Sequence, residues 1–174
     1  TVGIIPVHLF GLCAEMITIL EIARRYDLWV VEDAACGFGA WIGDQHAGSF
    51  GEMGCFSFHP RKSITTGEGG MITTAAPDFD QLSRTLRDHG ASRTDLDRHT
   101  NKAGFLLSEY NHLGFNFRMT DIQGALGSVQ MDRAQMILDE RARCAKYYDS
   151  QLSGFAWLQT PMVPHGYAHG YQAY

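Results

Sequence analysis

Two short apolar runs with a helical segment between them constrain the fold of this chain more than any other feature. Residues 2–7 and 28–32 are apolar in the manner of buried parallel strands. Between them, residues 14–26 carry apolar side chains at helical spacing, and Arg24 and Arg25 near the end suit the helix dipole. Strand, helix and strand in this order predict a parallel pair joined by a right-handed crossover, and therefore an α/β fold.

Two polar residues follow the predicted strands directly. His8 comes after the first and Asp33 after the second, and ligands of such sheets bind beyond the carboxyl ends of strands. Residues 54–58 indicate another strand, which runs into a loop that holds Lys62 and leads to the glycine-rich residues 67–70. A strand-end carboxylate and a lysine in such a loop are what imine chemistry on an aromatic cofactor requires. The lysine forms a Schiff base, and the carboxylate keeps a ring nitrogen protonated.

Both residues also allow a simpler interpretation. A lysine is usually a solvated surface charge, and an acid at a strand end often caps the next turn. A lysine that attacks an aldehyde needs an enclosed site that disfavours its cation, because only the neutral amine is a nucleophile. Three neighbouring features favour an enclosed site for Lys62 over a position on the surface. They are the apolar strand that precedes it, Pro60 two residues earlier, and the glycines that follow. Ser57 either packs in its strand or donates its hydroxyl to a phosphate near the lysine.

The rest of the chain alternates short strands and helices. Residues 41–48 are typical of a hairpin, and residues 70–74 of another short strand. An amphipathic helix is predicted over 78–89 and one long helix over about 120–152. Residues 90–114, which include an apolar stretch at 105–107, have no clear period, and a loop of that length is usually functional or mobile.

Composition excludes several classes of protein. A chain of 174 residues is long enough for one domain with a sizeable core, and a net charge of −5 argues against a nucleic-acid or anionic-membrane surface. The eight histidines are scattered and do not indicate a metal site.

The apolar start at Thr1 and the abrupt end at Tyr174 suggest an internal fragment of a longer chain. None of the four cysteines, Cys13, Cys36, Cys55 and Cys144, forms a C-x-x-C pair, which excludes zinc-ribbon and thioredoxin-like sites, and a reduced, cytoplasmic setting is the default expectation.

Six short segments, in order along the chain, carry a family resemblance. They are 6–11 (PVHLFG), 32–35 (EDAA), 48–51 (GSFG), 56–62 (FSFHPRK), 67–70 (GEGG) and 114–123 (GFNFRMTDIQ). These segments resemble the DegT/DnrJ/EryC1/StrS sugar aminotransferases, and the resemblance spans nearly the whole chain, which makes it specific. The variants at 116–120 and 87–92 (RDHGAS) are most similar to the perosamine-synthase-like branch of that family.

The resemblance implies a fold, a cofactor and a reaction. The fold is that of type I aminotransferases dependent on pyridoxal 5′-phosphate (PLP), a mainly parallel sheet flanked by helices. Residues 1–150 would be part of the PLP-binding large domain, ending in a long linking helix, and residues 151–174 would start the C-terminal small domain. Such proteins are homodimers with shared active sites. They transfer an amino group, typically from glutamate, to a nucleotide-linked keto sugar for surface polysaccharide or glycoside biosynthesis.

The resemblance also implies roles for individual residues. Lys62 would be the Schiff-base lysine and Asp33 the partner of the pyridine nitrogen. Ser57 would contact the cofactor phosphate, and Asn116 would reach the phosphate of the neighbouring subunit's cofactor. Cys36 stands near the cofactor's ring oxygen, where the family often has Gln or His, and its thiol is a weaker hydrogen-bond donor than either.

Three further residues are candidates for substrate contact, each with an alternative. His8 either approaches the sugar or, as is more usual for a strand-end histidine, has a structural role. His59 either faces the substrate or packs beside Pro60. Arg118 either binds a phosphate or carboxylate bidentately or pairs with Asp121 at a helix start.

Two rival functions are weighed against transamination. Sugar dehydratases of the same fold replace the lysine with histidine, and Lys62 argues against that reaction. Regulatory relatives that bind the cofactor without catalysis are expected to lose the lysine or the aspartate, and this chain keeps both Lys62 and Asp33.

Overall fold

The structure, a computed structural model, describes residues 1–91 and 109–174. Most of the predicted loop, its apolar stretch at 105–107 and Ser92 therefore lie outside the described residues. Two units are distinguished by their internal contacts, Thr1–Ala75 with Asp121–Tyr174, and Ala76–Thr120. The strands are β1 (Gly3–Ile4), β2 (Trp29–Asp33), β3 (Trp41–Ile42), β4 (Gln45–His46), β5 (Met53–Ser57), β6 (Gly70–Thr73) and β7 (Tyr167–Ala168). The helices are α1 (Met16–Tyr26), α2 (Pro77–Arg87), α3 (Asp121–Asp132) and α4 (Ala134–Leu152).

The main sheet has the order β1-β2-β5-β6. β1, β2 and β5 are parallel neighbours, whereas β6 is antiparallel to β5. The carboxyl ends of β2 and β5 therefore lie at one edge, with Asp33 opposite Cys55. The predicted α/β fold with a mainly parallel sheet is confirmed.

α1 crosses between β1 and β2, as the sequence pattern predicts. It begins two residues later than predicted, because the Glu15 carboxylate accepts a hydrogen bond from the Thr18 N–H at 2.9 Å and caps the first turn. The buried side chains Met16 and Ala23 pack against Val30 of β2. Burying a side chain the size of Met or Val contributes about 1.5–3 kcal/mol, which holds the helix on the sheet.

The first strand is shorter than the predicted 2–7. Its ladder covers only Gly3–Ile4 and is followed by one parallel bridge between Val7 and Asp33. Pro6 has no N–H to donate and so interrupts the pairing. β1 is an edge strand in this chain, and Ile5 is 70% exposed.

A second sheet, with the order β4-β3-β7, is antiparallel. The predicted hairpin is confirmed, and Gly43 in its turn has φ +56°, a conformation that favours glycine. β7, which falls in the segment predicted to start the small domain, pairs with β3. The boundary at residue 150 stays a prediction.

The predicted single helix over 120–152 is two helices. Arg133, between α3 and α4, has φ −101° and ψ 5°, and its N–H donates to the Gln130 carbonyl, three residues back, at 3.0 Å. The side chain of Gln130 meanwhile accepts a hydrogen bond from the Thr65 N–H at 3.0 Å. The break therefore lies where α3 is tied to a distant loop, and no Pro or Gly at 133 marks it in the sequence. Among the described helices, none is both long and apolar enough to cross a membrane.

Candidate active site

Lys62 lies in the loop after β5, and that loop is bonded internally. The Lys62 N–H donates to the His59 carbonyl at 2.9 Å and closes a turn. The Thr66 N–H and the Thr65 hydroxyl both donate to the Phe58 carbonyl, at 3.1 and 2.9 Å. Because bonds on either side of Lys62 fix the backbone, the lysine extends from a defined base.

Gln172, near the end of the described chain, binds the peptide groups on both sides of Lys62. Its Oε1 accepts from the Ser63 N–H at 3.2 Å and from the Ser63 hydroxyl at 3.4 Å. Its Nε2 donates to the Arg61 carbonyl at 2.7 Å. Sequence reasoning missed Gln172, because it lies 109 residues from Ser63 and no local pattern marks the contact.

The amine of Lys62 lies against the thiol of Cys36. Nζ donates to Sγ at 3.1 Å. Cys36 is half-buried in the turn that follows β2, where the Gly37 N–H donates to the Ala34 carbonyl at 2.8 Å. The contact brings the predicted catalytic lysine next to the strand end that carries Asp33.

Asp33 is the last residue of β2 and is half-buried. Its Oδ1 accepts a hydrogen bond from the Ala35 N–H at 3.0 Å. One of the two carboxylate oxygens therefore caps the following turn, as the simpler interpretation of this residue expected. Oδ2 accepts no hydrogen bond from the part of the chain that the structure describes. Burial, and then the negative charge of Asp33, raise the pKa of the opposite Cys55 thiol. Asp33 therefore offers, at this edge of the sheet, a carboxylate oxygen that accepts no hydrogen bond from the described residues.

Glu32, the neighbour of Asp33, is fully buried and accepts four hydrogen bonds. Its Oε2 accepts from His8 Nε2 at 2.8 Å and from the Gly48 N–H at 2.7 Å. Its Oε1 accepts from the N–H groups of Phe50 and Gly51 at 2.6 and 2.8 Å. Burial alone raises the pKa of Glu32, but the bonds from His8 and the three N–H groups outweigh it, and the pKa lies below the usual value.

His8 belongs to the same buried network. Its Nδ1 accepts a hydrogen bond from the Ala14 N–H at 3.1 Å, so Nε2 carries the proton that is donated to Glu32. Its side chain is fully buried, which favours the structural alternative over contact with a sugar. Sequence reasoning missed Glu32, although a glutamate inside an otherwise buried strand was a signal available in the sequence.

A cleft of about 610 Å³ opens beside the lysine loop. Ser57 and His59 lie in its wall with Lys62, so three of the predicted residues are brought together. The Ser57 Oγ accepts from the His59 N–H at 3.3 Å, and the His59 Nδ1 accepts from the Arg61 N–H at 3.3 Å. The Ser57 hydroxyl proton has no acceptor among the described residues. The lining residues are Ser57, His59, Arg61, Lys62, Glu68 and Gln172, of which Arg61, Glu68 and Gln172 were not predicted.

Asn116 and Arg118 belong to the other unit, Ala76–Thr120. Asn116 is exposed and forms an antiparallel bridge with Asp88, at the end of α2. The Phe117 N–H donates to the Arg87 carbonyl at 2.9 Å, which aligns this segment with the helix end. The Arg118 Nη1 consequently donates to the Asp88 carboxylate. Pairing with Asp121 was one of the two alternatives for Arg118, and the carboxylate that it pairs with in the structure is that of Asp88.

Known proteins match the chain along its length. It is 42% identical over 153 residues to the GDP-perosamine synthase of Caulobacter vibrioides, covering 88% of this chain and 38% of that protein. It is 38% identical over 172 residues to the UDP-N-acetyl-3-dehydro-α-D-glucosamine 3-aminotransferase of Acidithiobacillus ferrooxidans, covering 97% and 42%. The X-ray structure of an aminotransferase from Psychrobacter cryohalolentis superposes with a TM-score of 0.87 at 30% identity, covering 99% and 46%.

The chain spans less than half the length of these relatives. The model of the DegT/DnrJ/EryC1/StrS aminotransferase family matches residues 1–174, the whole of the sequence. Three observations lead to the same family. They are the motifs at the strand end and in the lysine loop, the α/β sheet, and the match of the family model to every residue. The chain belongs to the DegT/DnrJ/EryC1/StrS aminotransferase family.

Proposed function

We propose that this chain carries the lysine and the ring-nitrogen partner of a PLP-dependent aminotransferase that converts a nucleotide-linked keto sugar into an amino sugar. Glutamate is the proposed amino donor, and surface polysaccharide or glycoside biosynthesis is the proposed use of the product. The observation that carries the proposal is the position of Lys62. Its amine extends from a loop bonded on both sides and lies beside a cleft at the edge of the sheet. Relatives named as sugar aminotransferases support the same substrate class.

The residues at this edge fit PLP. The cofactor has an aldehyde, a ring nitrogen and a phosphate, and each has a suitable group here. Among the described residues, the Lys62 amine donates a hydrogen bond to a thiol alone, Oδ2 of Asp33 accepts none, and the Ser57 hydroxyl has a proton to donate. The adjoining cleft, at about 610 Å³, falls within the range of about 300–1,000 Å³ that is typical of cofactor sites.

When bound, PLP supplies an aldehyde for amines and an electron-withdrawing ring. Lys62 would hold the cofactor through Nζ and, once free, would accept and return the α-proton of the donor at that atom. Asp33 would place its negative charge at the ring nitrogen and keep a proton there. Ser57 would donate to the phosphate, and Cys36 would lie near the ring oxygen. His59 and Arg61 in the cleft wall would contact the sugar nucleotide.

The assembly and setting of the protein are part of the same proposal. In a homodimer with shared active sites, the exposed Asn116 would bind the phosphate of the neighbouring subunit's cofactor. Arg118 would release Asp88 and bind a phosphate or carboxylate of the substrate. A reducing, cytoplasmic setting is supported by the four cysteines, all of which are free thiols. Residues 1–150 are proposed as part of the large domain and 151–174 as the start of a small one.

The decisive experiment is reductive trapping on the full-length protein. PLP followed by borohydride is expected to leave a pyridoxyl group on the peptide that contains Lys62, detected by mass. Lys62→Ala should abolish both that label and turnover of glutamate with a nucleotide–keto-sugar panel. Lys146→Ala, which removes an exposed lysine on α4, is the matched control and should retain both.

Two results would contradict the proposal. A pyridoxyl label found on Lys146 or any other lysine would show that Lys62 is not the residue that binds PLP. A Lys62→Ala protein that transaminates at the full rate would do the same. Asp33→Asn should slow the reaction by several orders of magnitude in single-turnover assays, and an unchanged rate would refute the role of its charge.

A further inference from the structure

The amine of Lys62 and the thiol of Cys36 are a nucleophile pair held in contact. Nζ and Sγ are 3.1 Å apart, although the two residues are 26 positions apart in the chain. Each is held from its own side, Lys62 by the lysine loop and Gln172, and Cys36 by the turn after β2. The contact is therefore a product of the fold and not of neighbouring positions in the sequence.

The other three thiols lack this combination of access and partner. Cys13 is buried, and burial with the charge of Glu32 raises its pKa to about 11, so it forms little thiolate. Cys55 also has a raised pKa, caused by burial and then by Asp33. Cys144 is exposed, but no lysine amine of the described chain contacts it. Cys36 is half-buried at the edge of the sheet, within reach of small oxidants.

We propose that Cys36 and Lys62 form a modification site, at which a hydroperoxide converts the thiol and the amine into a covalent sulfur–nitrogen bridge. The consequence rests on the proposed function: the bridge occupies the nitrogen that would otherwise hold PLP. Oxidation would therefore block the cofactor's anchor while the rest of the site stays intact. A bridge of this kind is reversible by thiols, unlike oxidation of the cysteine to a sulfinic or sulfonic acid.

The chemistry proceeds in two balanced steps. First, Sγ attacks one oxygen of the hydroperoxide, a sulfur–oxygen bond forms, and the oxygen–oxygen bond breaks. The sulfur is oxidised by two electrons, the peroxide is reduced, and the thiol proton leaves with the departing oxygen as water or alcohol. Second, the neutral Nζ attacks Sγ, the sulfur–nitrogen bond forms, and the sulfur–oxygen bond breaks. The departing hydroxide takes one proton from the amine and leaves as water, without further oxidation.

Contact geometry favours the second step over competing reactions. A sulfenic acid usually condenses with a thiol that must first reach it. Here the Lys62 amine already lies 3.1 Å from the sulfur. The flexible four-carbon stem of Lys62 allows the remaining approach without movement of its anchored backbone. An external thiol reverses the bridge by attacking Sγ. The sulfur–nitrogen bond then breaks, the amine recovers its proton, and a second thiol reduces the resulting disulfide.

The test uses the full-length protein, freed of cofactor and treated with hydrogen peroxide. Peptide mass mapping is expected to find one species that joins the peptides of Cys36 and Lys62 and is lighter than their sum by two hydrogens. Dithiothreitol should restore both peptides. Cys36→Ser and Lys62→Arg should each lose the species, while Cys144→Ser, which removes an exposed thiol, should retain it. Saturation with PLP before the oxidant should reduce its yield at least tenfold, because the amine is then engaged.

Several outcomes would overturn the inference. These are a Cys36 that stays reduced, one that advances to sulfinic acid unlinked, a disulfide between two cysteines, or a link that retains an oxygen atom. Failure of the proposed function looks different. A bridge found at Cys36 and Lys62 without any borohydride-trapped PLP on Lys62 would refute the function and leave the bridge standing. Trapped PLP on Lys62 without a bridge would refute only the bridge.

Discussion

The substitution Glu32→Gln tests whether a buried carboxylate organises the edge of the sheet beside Asp33. The carboxylate accepts hydrogen bonds from four donors, which are His8 and the N–H groups of Gly48, Phe50 and Gly51. Glutamine has nearly the same shape but offers one acceptor oxygen and one NH₂ group. Whichever way the amide is oriented, its NH₂ faces two of the four donors.

The expected loss of stability follows from those two donors. A buried donor left without an acceptor costs about 1–3 kcal/mol, so two cost about 2–6 kcal/mol. His8 cannot relieve the conflict by changing its tautomer, because its Nδ1 already accepts from the Ala14 N–H. A loss of this size is a large fraction of the 5–15 kcal/mol that is typical of folded domains.

Urea unfolding of the full-length protein measures the change in the free energy of unfolding. Glu52→Gln is the matched control, because within residues 1–91 and 109–174 the Glu52 carboxylate accepts a single hydrogen bond, from the Val30 N–H at 2.6 Å. The glutamine oxygen can keep that bond, so the control should lose only about 1 kcal/mol, the difference between a charged and a neutral acceptor. If Glu32→Gln loses no more than the control, the four-bond network does not stabilise the fold as argued.

Three further predictions concern acid stability, lysine positioning and the second unit. The pKa of Glu32 is lowered from 4.5, so its stabilisation is present above pH 4.5 and is lost as the pH falls through the lower folded value; Glu32→Gln should flatten acid unfolding in that window. Gln172→Ala should slow borohydride trapping of PLP on Lys62 by about 10- to 100-fold, because the peptide groups beside the lysine lose their anchor, and an unchanged trapping rate would contradict that role. Arg118→Ala should cost only about 0.2–1 kcal/mol in urea unfolding, because its bond to Asp88 is partly exposed, and a loss above 2 kcal/mol would show a larger structural role.

Matched variants accompany the last two predictions. Gln151→Ala removes an exposed glutamine side chain on α4, whose Nε2 donates to the neighbouring Ser150 hydroxyl at 3.3 Å, and should leave trapping on Lys62 unchanged. Arg143→Ala breaks an exposed pair with Glu140 on the same helix and should cost as little as Arg118→Ala. Acid unfolding of Glu52→Gln is the reference for the pH measurement.

Local pattern was sufficient to predict the crossover and to propose the two central residues of the candidate site. Continuous apolar runs indicated the first two parallel strands, and the helical spacing of apolar residues identified α1, because burial of one helix face requires that period. Asp33 and Lys62 could be proposed because a strand end and a glycine-flanked loop are local features of the chain. The hairpin at Gly43 was equally local. These features depend on neighbouring residues, so the sequence alone determined them.

Contacts between distant segments were decided only by the tertiary structure. Glu32 and His8 are 24 positions apart, and Gln172 lies 109 positions from Ser63. The break in the predicted long helix has the same origin, since Gln130 at its end binds a loop 65 positions away. No local pattern encodes such partners, because a hydrogen bond between remote residues depends on where the whole chain has already placed their backbones. The sequence was sufficient to propose which residues carry the chemistry, and the packing of the chain decided which contacts hold them.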